Sequence, residues 1–339
     1  MRKALQLTDC GILCAASVVG KTEKNGPLGN WFDLHGDNDR FGQRTWEKAE
    51  AEMQRMALNT ALAKGKLHDT ALDAIFAGDL LNQCIGAAYG LKDFNVPYFG
   101  LYGACSTAAE GLMLAAMLVS RGAYRRAAAV ASSHNCTAER QYRSPLEYGA
   151  QRAPTAQWTV TGAGAFVVGS AREAQAHIRA VLPGTVIEKG VRDAANMGAA
   201  MAPAAADTLL RFFRETHTVP ADFDLIVTGD LGYEGGDILC DLMQIEGVDI
   251  RSTYNDCGMM IYSRDTQDTH AGGSGCGCSA AVLASYLLPK LAEGSLRRVL
   301  FIGTGAMMSP QIIQQGECIP AVAHLVCLAA KEEEAWKLC

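Results

Sequence analysis

The residues with the clearest chemistry are Tyr102-Gly-Ala-Cys-Ser-Thr-Ala-Ala-Glu110, which put Cys105 in a tight small-residue turn just ahead of an apolar helix. Unpaired backbone N–H groups and the dipole at a helix start favour a thiolate and lower the thiol pKa. Cys105 is therefore a candidate nucleophile or anion contact. The competing reading is plain packing, because the chain holds 12 cysteines and a free Cys behaves as a small hydrophobe. A second loop, Thr269-His-Ala-Gly-Gly-Ser-Gly-Cys-Gly-Cys-Ser279, also precedes a helix. His270 offers a base or an oxyanion donor there, and the glycines let a ligand approach the backbone. The alternative is a surface loop with an incidental His. Cys276 and Cys278 form a C-x-C without further ligands, so no metal site is expected. Ile302-Gly-Thr-Gly-Ala-Met-Met308 reads as a Gly-rich turn after a strand. It lacks both the P-loop Lys and G-x-G-x-x-G, so it is a turn beside a pocket rather than a phosphate cradle. The stretch Ser132–Arg152 is polar and holds His134, Arg140, Arg143 and Arg152 with two tyrosines. Arg forks and Tyr hydroxyls could hold a carboxylate. The bland alternative is a solvated loop with weak surface ion pairs.

These residues need elements to position them. Residues 20–44 are polar, Gly-rich and without a period, which predicts a long loop. Thr45 opens a helix to Lys64, and Gly65 stops it. Residues 74–78 read as a buried strand, 107–121 as a helix, 127–132 as a buried strand, and 160–169 and 177–188 as further strands. In the second half a helix is expected from Pro203, a good first-turn residue, to Thr216. A strand over 224–229, a helix over 236–246 and a loop of roughly 25 residues follow. A helix over 277–292, a strand over 298–303 and a last strand over 319–329 precede the charged tail KEEEAWK. The second half repeats the first. IFAGDL at 75–80 recurs as IVTGDL at 226–231, Ala108-Ala109 as Ala280-Ala281, and Arg125-Arg126 before a strand as Arg297-Arg298 before a strand. The matches keep their order, with an insertion that the long loop before His270 can hold. They predict a duplicated α/β chain, divided into 1–173 and 174–339.

Composition narrows the function classes. The chain has 339 residues, 49% hydrophobic and 19% charged, with a net charge of -6. This is too apolar for a disordered chain and carries no basic footprint for nucleic acid. With no C-x-x-C and cysteines placed singly, neither a zinc ribbon nor a disulfide scaffold is expected. The start, MRKALQLTDCGIL, is not a secretory signal. The longest apolar stretches are too short or interrupted to span a bilayer. A cytoplasm-like setting is expected, with attachment to a membrane surface left open.

The chain order, the duplication and GACSTAAE together resemble the thiolase and ketoacyl-synthase superfamily. That resemblance implies the thiolase-like α/β fold, with two β-α-β-α-β halves in five layers, α-β-α-β-α. It implies that Cys105 matches the acyl-accepting nucleophile. His270, in HAGGSG, resembles the histidine of the thiolase GHPxGxSG motif, and IGTGAMM the C-terminal Gly-rich turn. Two positions depart from that pattern. Phe301 stands where thiolases have a Cys, and Asp230, in Thr228-Gly-Asp-Leu, stands where the superfamily has Asn or His. A charged Asp is not the usual neutral oxyanion donor, so the acid/base set for condensation is incomplete. The runs SSHNCTAERQYRSPLEYGAQRAPTAQWTVTGAGA, DTHAGGSGCGCSA and DLHGDNDRFGQRTWEKAE resemble the stage V sporulation protein AD family over the full length.

The narrower resemblance implies a non-catalytic protein that binds dipicolinic acid, free or with Ca²⁺, during its uptake into the developing spore. It implies a peripheral place at the cytoplasmic side of the spore inner membrane and partners from the same uptake system, and the superfamily resemblance implies a homodimer. No other cofactor and no resident metal are implied. The ligand-contact candidates are Cys105, His134, Arg140, Arg143, Arg152, Asp230 and His270. A net negative chain repels a free dianion at long range, so a local positive cluster or bound Ca²⁺ is needed. An acyl-transferring or condensing enzyme that uses Cys105, and a scaffold with a relict pocket, remain the alternatives.

Overall fold

The structure, a computed structural model, describes residues 4–142 and 152–333. Ten strands carry the fold. The first half holds β1 (Gly11–Val19), α1 (Trp46–Lys64), β2 (Ala74–Gly78), α2 (Ile85–Leu91), β3 (Tyr98–Gly100), α3 (Thr107–Ser120), β4 (Ala127–Ser133), α4 (Asn135–Tyr142) and β5 (Gly162–Gly169). The second holds β6 (Ala176–Leu182), α5 (Met197–Thr216), β7 (Leu225–Thr228), α6 (Gly232–Ile245), β8 (Tyr254–Asp256), α7 (Cys276–Val282), β9 (Arg298–Ala306) and β10 (Ala321–Ala330).

Their hydrogen-bonded order is β8-β7-β9-β10-β6-β1-β5-β4-β2-β3. Read outward from the β6–β1 seam, each half has the same strand order, first-fifth-fourth-second-third, and the same directions. β5 is antiparallel to β1 and β4, whereas β4, β2 and β3 run parallel. β10 is antiparallel to β6 and β9, whereas β9, β7 and β8 run parallel. Between β6 and β1 the seam is two rungs, Gly11↔His177 and Ile12↔Ala176, and Leu5↔Val181 and Gln6↔Ala180 extend it along β6. IFAGDL and IVTGDL fall on equivalent strands, β2 and β7, as the repeat predicts.

Three apolar clusters separate the layers. One lies under α1 and α2, around Met53, Leu58 and Ile75. One surrounds α5 and α6, with Phe212, Leu239 and Leu300. The largest encloses α3 and α7, with Leu112, Ala280 and Phe301. α3 meets β2, β4 and β5 as well as β9 and β10, so it lies between the two half-sheets. Its sequence, TAAEGLMLAAMLVS, is mostly small, as an element packed on two sides at once needs.

Several expectations change. The second-half helix begins at Met197, not Pro203, because Asn196 caps it by accepting from the Ala199 amide at 3.2 Å. Pro203 sits inside. The expected 25-residue loop holds β8 and a short helix, Cys257–Ile261, begun by Asp256. The strand predicted over 177–188 stops at Leu182. The helix of 277–292 is broken by a wider turn over Leu283–Leu287. The Gly-rich segment at 302–306 is not a turn but the end of β9. Its glycines serve close approach: a Cβ at Gly305 would lie 2.3 Å from the Gly103 carbonyl oxygen, and one at Gly303 2.6 Å from Ala109 Cβ. β1, which no periodicity marks, is buried along both faces and so reads as a continuous apolar run.

Candidate functional site

The turn Gly103-Ala-Cys-Ser106 rests on β9 and leads into α3. Ala104 takes a left-handed conformation (φ 50°), a strained geometry for a residue with a Cβ. Thr107 Oγ1 donates to the Ala104 carbonyl at 2.7 Å and accepts from the Gly103 amide at 3.1 Å, which locks the turn. Cys105 is buried, with Sγ 3.9 Å from Ser274 Oγ. Ser274 Oγ donates to Asp230 Oδ2 at 3.1 Å. Asp230 also accepts from the Gly275 amide at 2.8 Å and from Thr304 Oγ1 at 2.8 Å.

This surrounding reverses the thiolate expectation. Burial first, and then the neighbouring Asp230 carboxylate, push the Cys105 thiol well above its ordinary range. Burial also raises Asp230, against the pull of its hydrogen bonds. Desolvation and a facing acid outweigh the helix start, so the group at this position is a thiol.

Cys105 and Ser274 line a cavity of about 350 Å³. Its walls include Leu80, Ala138, Ala156, Met197 and Met308, with Tyr102, Glu139, Tyr142, Arg152 and Gln157 as polar members. The Arg152 side chain is only 8% exposed. Its Nη2 donates to the Asp268 carbonyl at 2.7 Å and to Asp268 Oδ2 at 2.9 Å, and its guanidinium carbon is 4.8 Å from the Trp158 ring centroid. Arg152 Nη1 is buried with no hydrogen-bond partner among the described residues, and so is Gln157 Oε1.

Of the candidates, Cys105 and Arg152 line this cavity, and Asp230 lies directly behind Ser274. His134 is buried elsewhere, with Nε2 2.7 Å from the Asp39 carbonyl oxygen. Burial lowers its pKa. Arg140 points outward to an ion pair with Glu47. Arg143 lies outside the described residues. His270 does not face Cys105: Nδ1 donates to the Ala153 carbonyl at 2.8 Å, and Nε2 lies 3.0 Å from Asp268 Oδ1. It lines a separate shallow depression with Arg264, Asp265 and Gln267. The residue this loop presents to Cys105 is Ser274.

The sequence reading did not single out Gln157 or Asp256, whereas Tyr142 is one of the two tyrosines it put forward in Ser132–Arg152. Gln157 holds the loop, with Nε2 donating to the Asp230 carbonyl at 2.7 Å and to the Gly273 carbonyl at 2.9 Å. A glutamine in a polar run carries no signal of this by type. Among the described residues no group of three or more His, Cys, Asp and Glu could hold a metal ion. The described cysteines are all free thiols, and no helix among the described residues is long and apolar enough to cross a membrane.

Comparison with known proteins follows the same lines. The family described as stage V sporulation protein AD matches residues 2–329. A stage V sporulation protein AD of Bacillus subtilis (strain 168) is 44% identical over 310 residues, which cover 91% of each chain. Among solved structures, a variant of OleA from Xanthomonas campestris aligns over 96% of this chain and 99% of its own, with a TM-score of 0.61 and 13% identity. The 3-oxoacyl-[acyl-carrier-protein] synthase III of Aquifex aeolicus VF5 aligns over 94% and 99%, with a TM-score of 0.58 and 12% identity. At such identity these neighbours establish the fold, which is thiolase-like.

Proposed function

The chain belongs to the stage V sporulation protein AD family, a family of sporulation proteins, and from that premise we propose that it binds dipicolinate during uptake into the developing spore. The ligand sits in the cavity beside Cys105 and is not chemically changed there. The observation that carries this reading is Arg152, buried in the cavity wall with one guanidinium nitrogen unpaired among the described residues. A buried guanidinium N–H without an acceptor favours an anionic partner, although the group already pairs with Asp268. The apolar walls suit a flat aromatic ring. Calorimetry with sodium dipicolinate, alone and with Ca²⁺, tests it. Saturable binding that weakens at least about tenfold in Arg152→Met is expected, the loss of one charged hydrogen bond. No binding of either form at millimolar ligand would overturn it.

An acyl-transferring enzyme using Cys105 is the second reading, kept because both structural neighbours named above share the fold and the synthase is by name a condensing enzyme. The raised thiol pKa and the outward His270 argue against it. Incubation with acyl-CoAs followed by intact-mass measurement should give no adduct on Cys105, whereas a stable adduct would favour this reading.

We further propose a homodimer and a peripheral position at the inner spore membrane beside other proteins of the uptake system. Support for pairing comes from the sheet edge: β3 exposes Tyr98 and Phe99, and Tyr89 (62% exposed) and Ile85 on α2 are exposed as well. Open edges with apolar side chains invite strand pairing. Light scattering should give twice the chain mass, and Phe99→Lys should return the monomer.

A further inference from the structure

His270 points away from Cys105, yet its loop holds it in a defined place. Its backbone is left-handed (φ 51°), a strained setting for a residue with a Cβ and of the kind that clusters at functional sites. Two segments, 152–158 from the first half and 268–274 from the second, are stitched around it. Ala271 N donates to the Ala156 carbonyl at 3.2 Å and Trp158 N to the Gly272 carbonyl at 2.9 Å, and Gln157 forms a backbone bridge with His270.

Both ring nitrogens of His270 face oxygen. Nδ1 is 2.8 Å from the Ala153 carbonyl oxygen, and Nε2 is 3.0 Å from Asp268 Oδ1. A neutral imidazole has one N–H and satisfies one of these acceptors, whereas the protonated ring donates to both. With its single proton on the Ala153 carbonyl, the neutral ring turns a lone pair toward the Asp268 carboxylate. The other oxygen of that carboxylate accepts from Arg152 Nη2 at 2.9 Å. Asp268 therefore stands between two basic groups, Arg152 in the wall of the Cys105 cavity and His270 outside it. The Asp268 side chain is 81% exposed, and a carboxylate so exposed is held weakly by one partner. Arg264 and Asp265 share the depression with His270. Arg264 turns to Glu234 at 3.8 Å and to the Tyr233 ring, which leaves Asp268 as the ion-pair partner of His270 among the described residues.

The charge of the trio follows the ring. With His270 protonated, one carboxylate is shared by two cations, and a net positive charge remains beside the cavity. With the ring neutral, the carboxylate cancels Arg152 alone. We propose that His270 and Asp268 are positioning residues for anion binding: the imidazolium draws Asp268 off Arg152, so an anion binds the guanidinium more tightly when His270 carries both protons. The inference rests on the proposed dipicolinate site and adds a proton-linked control of it from outside the cavity. Binding that favours the protonated ring is strongest below the imidazole range and weakens as the pH rises through it.

Calorimetry with sodium pyridine-2,6-dicarboxylate at about pH 5.5 and about pH 8 tests this, because carboxylates stay ionised across that span while an imidazole changes charge. The comparison is with His270→Asn, since Asn tolerates left-handed backbone and carries no charge. The variant should bind about threefold to fivefold more weakly than the unsubstituted protein at the lower pH, the size of one partly exposed charge pair, and equally at the higher pH. In an Asp268→Asn background the same substitution should lose its effect, because His270 reaches Arg152 through that carboxylate. In the free protein, the Arg152 guanidinium resonance, assigned by its loss in Arg152→Met, should move as His270 titrates and stay fixed in His270→Asn. Equal binding by His270→Asn at the lower pH, or an effect that persists in the Asp268→Asn background, would overturn the inference while sparing the proposed ligand. Absence of binding at both pH values would overturn the ligand reading. In that case a guanidinium resonance that follows His270 upholds the link between the two residues, and a stationary one overturns it.

Discussion

Asp79 and Asp230 occupy the same place in the two repeats, each closing its motif at the end of an equivalent strand, yet they do different work. Asp79 turns back on its own segment, accepting from the Leu81 amide at 2.8 Å and the Ala87 amide at 2.6 Å. The amide equivalent to that of Leu81 in the second repeat is Gly232 N, and it donates to Asp256 Oδ1 at 3.0 Å instead. Asp256 comes from β8 and also accepts from Leu231 N, Gly258 N and Thr228 Oγ1. Because Asp256 has taken over the local amides, Asp230 is free to reach Ser274, Gly275 and Thr304 beside Cys105. A duplicated loop acquires a site when a second acid relieves the first of its structural duty. Each repeat thereby buries an acid beside the equivalent aspartate, Glu50 in the first and Asp256 in the second. Glu50 and Asp79 both lie above the ordinary carboxyl range, chiefly through burial. Asp256 is pushed up to about 6, also by burial first.

The largest effect should come from removing the relieving acid. Asp256→Ala orphans the Leu231 and Gly232 amides and should cost about 3 kcal/mol or more in urea unfolding, more than Asp79→Ala. If the two losses are equal, the proposed division of labour is broken. A smaller effect concerns Cys105. As a buried thiol beside an acid, it should react with iodoacetamide at neutral pH at least about tenfold more slowly than half-buried Cys318. Reaction as fast as at Cys318 would mean the second repeat had kept its nucleophile.

The Glu50–Asp79 pair sets the next test. Both folded-state pKa values are raised, so the protonated forms favour the fold. Stability is therefore full below the ordinary carboxyl range and falls as the pH rises from there through neutrality. Glu50→Gln should flatten that fall, recovering about 1 kcal/mol at pH 8 relative to pH 5 in chemical denaturation. An unchanged slope would show that the pair carries no pH dependence. The smallest effect tests the helix starts. Thr45 and Asn196 each cap the first long helix of their half. Either change to Ala should cost about 1 kcal/mol in thermal melts, and a far larger loss at Asn196 would mark its helix as more than an equivalent of α1.

Much of this was legible in the chain. The repeat showed because burial fixes residue types at equivalent strands, and Cys105 showed because a helix start after Gly-Ala is a local signal. The thiol's true state was not legible, since it depends on Asp230, Ser274 and burial brought together from three distant segments. His270 misled for the same reason: its left-handed backbone (φ 51°) and the neighbouring Asp268 turn the ring away, and no spacing rule records that. Helix α5 was cut short because Pro203 was read as a start, although an Asn cap and the tight Gly198–Gly235 contact begin the helix six residues earlier.

Helix α3 lies between both half-sheets, while only a few rungs along β6 join those sheets directly. Its apolar surface stays wet unless both repeats are folded, so neither repeat can bury its share of the core alone. Folding of the halves is thus tied together through one shared helix, and a single cooperative melting transition is the expected outcome despite the duplicated plan. A ligand seated at the start of that helix would slow the opening of both halves at once.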